Sequence, residues 1–384
     1  MTVYNHSLIS LYVHFPFCGR RCRYCDFFST EDGTASIDGY IDAVANEFRM
    51  VIEKNDLHAS RIATIYCGGG TPSLLSPRRW YTFVDTVIKK LPFAPDLEWT
   101  IECNPDSFTE EKAAVWLDTG VTRLTLGIQS LQDRLLRFLG RPHTARQALD
   151  LLENPILTTF NSVGADIMYG LPGQTVKAVA QTAVRVLDSG TAKHLSAYEL
   201  TIAPDTPFGK HQRLLPLPSE EDRITMHETI REIAERHEFE QYEISNYARP
   251  GHRCRHNLRY WMHEPYVGLG ASSHSYLHPY RYANIADLRR YILDIKSARF
   301  PTAYTERLGT EELSREAILL GLRMPEGIGE DRYRRLTGRE FADGDRGKLL
   351  EKLAQEGYMV HTGGAWRPTS KGILIADALA GKLA

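Results

Sequence analysis

Phe15-Pro16-Phe17-Cys18-Gly19-Arg20-Arg21-Cys22-Arg23-Tyr24-Cys25-Asp26-Phe27 follows directly on the β-like run Ile9-Ser10-Leu11-Tyr12-Val13-His14. Three thiols in one loop behind a strand form a cradle for a soft metal or an iron–sulfur cluster. A cubane cluster takes four ligands, so three cysteines leave one iron open to an outside molecule. Structural zinc takes four donors, usually as two cysteine pairs. No second pair is present, since Cys67, Cys103 and Cys254 stand apart. Cys18, Cys22 and Cys25 are therefore expected to ligate a cluster.

Outward from this loop, strand-like runs alternate with helix-like ones. Strands are expected at 9–14, 61–66, 97–102, 123–129, 162–168 and 194–200, with helices at 37–52, 78–90, 110–118, 145–152 and 176–187. Such alternation implies βαβ units and a parallel sheet. Six units predict an α/β fold, a partial (β/α)6 barrel, with the doubly wound open sheet as the competing architecture. Either one gathers ligands at the carboxyl ends of its strands. Those ends carry Gly68-Gly69-Gly70-Thr71-Pro72, Glu102, Gln129 and Asp166, one polar signal after another, as a single pocket requires. Glycine without a Cβ lets backbone approach a small polar group closely. Cys67 and Cys103 read as small buried residues beside that pocket.

Beyond residue 200 the pattern loosens into a proline-rich connector, 204–218. A helix then starts behind Ser219 with Glu220, Glu221 and Asp222 in its first turn, a cap followed by acidic residues. A short strand at 241–245, the dense run Cys254-Arg255-His256-Asn257-Leu258-Arg259-Tyr260-Trp261 and a tight loop at 268–275 follow. The last part predicts helices at 311–322, 330–336 and 346–356. A hairpin at 359–361 and 366–367 around Gly363-Gly364 and a helix at 371–379 complete it. Helices followed by a small hairpin suggest a smaller, mainly helical, winged-helix-like domain. The expected division is 1–205 for the partial barrel, 206–299 for its extension and 300–384 for the accessory domain.

Net charge is −2, which disfavours nucleic acid as a partner. Arg332, Arg334, Arg335 and Arg339 are interleaved with Glu330, Asp331 and Glu340 and read as a solvated face. No apolar run of about 18 residues predicts a membrane span. The composition predicts a cytoplasmic protein, where thiols stay reduced.

Cys18-x-x-x-Cys22-x-x-Cys25, with Tyr24 before the third cysteine, resembles the radical S-adenosylmethionine (SAM) superfamily. The resemblance implies a 4Fe–4S cluster whose open iron is chelated by the amino and carboxylate groups of SAM. It also implies roles by position. Gly69, Gly70 and Thr71 meet the methionine amino group, Arg141 faces the ligand carboxylate, and Tyr12, Tyr24, Glu102, Gln129 and Asp166 are further contacts. The flanks Tyr12-Val13-His14-Phe15-Pro16-Phe17 and Asp26-Phe27 narrow the match, as do Gly170-Leu171-Pro172-Gly173-Gln174-Thr175 and Leu336-Thr337-Gly338-Arg339. Together they resemble the branch containing oxygen-independent coproporphyrinogen III oxidase. Two departures separate the chain from that oxidase. Phe27 stands where the oxidase has a further cysteine, and only seventeen residues precede Cys18.

Both departures resemble the heme-chaperone subgroup of that branch. This implies a carrier that binds heme and passes it to acceptor hemoproteins. The alternative is oxidative decarboxylation of coproporphyrinogen III to protoporphyrinogen IX. The subgroup keeps His256-Asn257-x-x-Tyr260-Trp261, whose imidazole, phenol and indole can ligate iron or stack on a porphyrin. Cys254, His256, Tyr260 and Trp261 are thus expected heme contacts, with Cys254 and His256 equal candidates for the iron. A local structural cluster, His256 capping a turn and Trp261 in the core, stays open beside that reading. A homodimer rests on family analogy alone.

Overall fold

The computed structural model describes residues 7–31 and 37–384. Six parallel strands stand side by side in chain order: β1 (Leu8–Phe15), β2 (Arg61–Gly69), β3 (Phe93–Cys103), β4 (Arg123–Gln129), β5 (Ser162–Tyr169) and β6 (His194–Glu199). A doubly wound sheet would reverse strand order at a switch point. The unbroken sequence of neighbours gives the partial (β/α)6 barrel instead. β7 (Glu240–Gln241) and β8 (Asn246–Ala248) extend the sheet beyond β6. On the other side β9 (Tyr266–Leu269) runs parallel to β1. Antiparallel β10 (His274–Leu277), β11 (Tyr280–Asn284) and β12 (Thr302–Arg307) follow it.

Alternation along β1 sorts the side chains. Ile9, Leu11, Val13 and Phe15 are buried in the main apolar core together with the helix Ile37–Lys54. Ser10, Tyr12 and His14 fall on the opposite face, as the two-residue period requires. Most of the intervening helices begin at a hydroxyl cap: Ser76, Thr109, Thr144, Thr175 and Ser219 each accept a backbone N–H of the first turn. Such caps stabilise a helix by about 1 kcal/mol each.

The run at 268–275, expected as a loop, contains the end of β9, a turn and the start of β10. Gly268 explains the misreading. A Cβ there would lie 2.0 Å from the His274 carbonyl oxygen, so the close strand approach demands the residue that usually marks a loop. The helix expected at 78–90 splits into Pro77–Thr86 and a 3-10 turn Ile88–Lys90, and that at 371–379 into Ser370–Ile373 and Ala376–Leu383.

A second apolar core runs from Ala317 to Leu383. It joins the helices Thr310–Gly321, Glu330–Thr337 and Gly344–Gln355 to a small antiparallel sheet of β13 (Ile328–Gly329), β14 (Met359–Thr362) and β15 (Ala365–Pro368). Gly363 and Gly364 turn the hairpin at φ +60 and +69, the conformation that a tight two-residue hairpin turn needs. β12 still pairs with β11 in the large sheet.

Candidate functional site

The carboxyl ends of β1 to β6 enclose a cavity of about 390 Å³. Cys18, Cys22 and Cys25 line it, as do Tyr24, Gly69, Gly70, Thr71, Glu102, Gln129, Arg141 and Asp166. The cysteine loop is fastened by backbone. Gly70 N–H donates to Phe15 O and Thr71 N–H to Phe17 O, both at 2.8 Å, while Cys18 N–H reaches Thr30 O at 3.0 Å and Arg23 N–H reaches Leu139 O at 2.9 Å. A Cβ on Gly70 would stand 2.5 Å from Phe15 O, so the glycine is what lets the two loops touch.

All three thiols are free. Thr71 Oγ1 donates to Cys18 Sγ at 3.7 Å and Arg141 Nη1 donates to Cys22 Sγ at 3.6 Å. Both contacts set a donor against a sulfur that a metal would ligate. Burial holds the Cys18 thiol above its usual range and pushes Cys25 up to about 11. Among the described residues no three His, Cys, Asp or Glu side chains converge on one ion-sized point. Three soft donors spread around a cavity suit a polynuclear cluster better than a single ion held at about 2.3 Å by every sulfur.

Opposite the thiols, β2 and β3 place Glu102. Thr64, Tyr66 and Gly68 alternate onto one face of β2. Tyr66 OH donates to Glu102 Oε1 at 2.9 Å and Gly69 N–H to Oε2 at 3.1 Å. Gly68 leaves the room, since a Cβ there would come within 2.9 Å of that carboxyl. Burial, with Asp166 nearby, raises the Glu102 carboxyl to about 7 despite those two donors. Asp166 is raised to about 6 by burial, partly offset by the Ser196 hydroxyl and by Arg123 and Arg141. Its Oδ1 is buried without a hydrogen-bond partner, and so is Arg141 Nε. Arg141 Nη2 donates to Gly127 O at 2.8 Å and also to Asn104 Oδ1.

Gln129 sits at φ +62, left-handed backbone that is rare for a residue with a Cβ. Strain of this kind concentrates where a side chain must be aimed. Buried polar atoms without partners cost about 1–3 kcal/mol each. Asp166 and Arg141 therefore fit a ligand that carries both a cation and a carboxylate beside the three thiols.

Several site residues carried no sequence signal strong enough to single them out. His14 Nε2 donates to Phe28 O at 2.8 Å, which leaves Nδ1 to accept from Tyr12 OH at 3.1 Å. His14 also packs on Gly69, where a Cβ would lie 2.3 Å from Nδ1. Alternation with Tyr12 was the available clue. Asn104, which donates to Thr71 Oγ1 at 3.3 Å, and Tyr66 follow the same logic.

The second candidate cluster lies elsewhere. Cys254 is the N-cap of the helix Arg255–Trp261 and has no side-chain cap of its own. Glu98 of β3 caps that helix from a distance, accepting Arg255 N–H at 3.0 Å and His256 N–H at 2.9 Å. Cys254 Sγ faces the same carboxylate at 3.7 Å. His256 is fully buried; its Nδ1 pairs with Thr64 Oγ1 and its Nε2 with Tyr260 OH, both at 2.8 Å. Arg323 lies over the Trp261 ring at 5.3 Å, and Arg332 donates to the Trp261 carbonyl at 3.0 Å. Cys254, His256, Tyr260 and Trp261 thus come together, but none of them lines the cavity.

Comparison with known proteins agrees with this geometry. The radical SAM superfamily model matches residues 12–186, and the HemN C-terminal domain model matches 308–375. The heme chaperone HemW of Bacillus subtilis (strain 168) is 34% identical over 97% of this chain and 98% of its own. HemW of Escherichia coli (strain K12) is 32% identical, covering 97% of each chain. Coproporphyrinogen III oxidase (HemN) from Escherichia coli, described as a radical SAM enzyme, superposes with a TM-score of 0.86 over 100% of this chain and 91% of its own. At 22% identity, that likeness speaks for the shared fold.

Proposed function

The chain belongs to the HemW family of the radical SAM superfamily, and on that footing we propose that it is a heme chaperone, a carrier that binds heme and hands it to acceptor hemoproteins. The observation that carries this reading is the end-to-end match to HemW, 34% identical over 97% of this chain and 98% of the relative. Phe27 supports it: the ring is 61% exposed at the cavity wall, at the position where the oxidase pattern calls for another thiol.

The superfamily brings a 4Fe–4S cluster and SAM. Cys18, Cys22 and Cys25 are the residues proposed to hold the cluster, with Thr71 and Arg141 donating to two of the sulfurs. Tyr24, Gly69, Gly70, Thr71, Glu102, Gln129, Arg141 and Asp166 form the proposed SAM side, whereas Tyr12, which does not line the cavity, stands behind it against Tyr66. When bound, the pair supplies an electron and a cleavable sulfonium. The chain's own part is placement and shielding. Arg141 offers a spare N–H to a carboxylate, and Asp166 offers a spare oxygen to a donor. Glu102 is held in place by Tyr66 and Gly69.

Among the described residues no helix is long and apolar enough to cross a membrane. A reducing compartment such as the cytoplasm suits three free thiols lining one cavity. The test is a paired assay. The protein is reconstituted anaerobically and titrated with heme by absorbance. The same sample then receives coproporphyrinogen III, reductant and SAM. A saturating heme spectrum without protoporphyrinogen is the expected result. Accumulating protoporphyrinogen would replace the carrier by the decarboxylase.

A further inference from the structure

Resting on the reading that the Glu102 edge of the cavity holds SAM, we infer that His256 is a positioning residue for that edge and not a ligand of heme iron. The histidine sits below the cavity, on the β2 face that carries Thr64 and Tyr66. Its Nδ1 is tied to Thr64 Oγ1 at 2.8 Å, and its ring lies 5.3 Å from that of Tyr66 at 33°. Tyr66 in turn donates to Glu102 Oε1 at 2.9 Å. A phenol can aim its O–H only if the ring behind it is wedged, and His256 is part of that wedge.

Beyond Tyr66 the stack continues. Tyr66 lies on Tyr12 at 6.2 Å and 27°, and Tyr12 reaches His14, whose Nε2 holds Phe28 O. Ring follows ring from the motif helix to the segment just behind Cys25. Interiors packed this tightly pass a displacement on to their neighbours.

Ligation of iron by His256 would contradict its surroundings. Its second nitrogen is tied to Tyr260 OH at 2.8 Å, and the residue is 0% exposed. Freeing either nitrogen means breaking a buried hydrogen bond. Bringing heme to it means lifting the helix Arg255–Trp261 off the Glu98 carboxylate that caps it. The motif at that helix is built as a plug under the barrel.

The test uses the full chain with its cluster reconstituted. SAM affinity is measured by equilibrium dialysis, the reduced cluster by its paramagnetic resonance spectrum with and without SAM, and heme uptake by absorbance. His256→Ala is expected to weaken SAM binding by about tenfold, the loss of one buried contact, and to shrink the spectral change that SAM induces. His256→Gln, whose amide again supplies a donor and an acceptor, is expected to recover affinity to within about threefold of wild type. Heme uptake stays unchanged in both. Tyr66→Phe, which keeps the ring, loses the same tenfold, and adding it to His256→Ala costs little more because both act through one contact.

The inference falls if the Ala and Gln variants both lose the heme spectrum, or if SAM affinity matches wild type in His256→Ala. A wild-type protein that holds its cluster yet binds no SAM removes the reading of the pocket as well.

Discussion

Two groups of soft donors stand in this molecule, and different partners face their sulfurs. At the top of the barrel Cys18 and Cys22 accept from a hydroxyl and a guanidinium, Thr71 and Arg141. At the bottom Cys254 faces the Glu98 carboxylate, and burial followed by that negative charge raises its thiol to about 12. The contrast extends to the polar groups nearby. Asp166 Oδ1 and Arg141 Nε at the top have no partner; at the bottom both nitrogens of His256 are taken, and Trp261 Nε1 alone of that cluster's ring nitrogens has none. Burial, with Arg259 adding to it, lowers the His256 imidazole to about 3, so it stays neutral. The lesson is that residue type nominates a ligand, but charge and unmet hydrogen bonding around it decide. A hydrogen-bond donor against a sulfur favours the form that binds metal, and a carboxylate against it disfavours that form.

The largest test of this contrast is all-or-none. Cys18→Ala is expected to leave the reconstituted protein without its cluster, read as iron and sulfide content, whereas Cys254→Ala keeps both at the wild-type level. Retained iron in the first variant, or lost iron in the second, breaks the distinction.

Next in size is Arg141→Met. It removes the donor to Cys22 and the spare N–H facing the cavity. The cost of such charged hydrogen bonds is about 2–3 kcal/mol, so SAM affinity should fall on the order of 50-fold by equilibrium dialysis. An unchanged affinity would mean that the orphan N–H faces no ligand.

A pH series sharpens the same end of the barrel. Glu102 at about 7 and Asp166 at about 6 lie above their usual 4.5 and 3.8. The folded protein thus binds protons that the unfolded chain has released. The stability these carboxyls contribute is complete below their usual values and is lost as pH rises through about 6 to 7. A cationic ligand needs them ionised, so SAM binding runs the other way and should weaken about tenfold between pH 8 and pH 5.5. Flat affinity across that range would remove Glu102 and Asp166 from the contact set.

The smallest effect belongs to the bottom. Glu98→Ala removes the cap of the helix Arg255–Trp261 and should lower unfolding free energy by about 1–2 kcal/mol in denaturant titrations. Its cluster content should not change.

What the sequence reveals follows from the range of the forces involved. The six parallel strands, the cysteine loop and the glycine loop are legible because periodicity and turn chemistry are local. Gly70 announces a close approach without naming Phe15 O as the atom approached. Glu98 looked like any charged residue at a strand's start, since its partners Arg255 and His256 lie 157 and 158 positions away. His256 was open between ligand and structural roles. The partners of its two nitrogens, Thr64 and Tyr260, become visible only in the fold. Gly268 hid a strand for the same reason: the carbonyl that forbids a side chain there belongs to another strand.

The most direct measurement is heme transfer itself. Heme-loaded, cluster-reconstituted protein is mixed with a heme-free hemoprotein, and the acceptor's own absorbance spectrum is followed, with free heme at equal concentration as the comparison. The account predicts that the acceptor fills from the loaded chain while coproporphyrinogen III supplied with SAM and reductant is left intact. An acceptor that stays empty while protoporphyrinogen accumulates would contradict it.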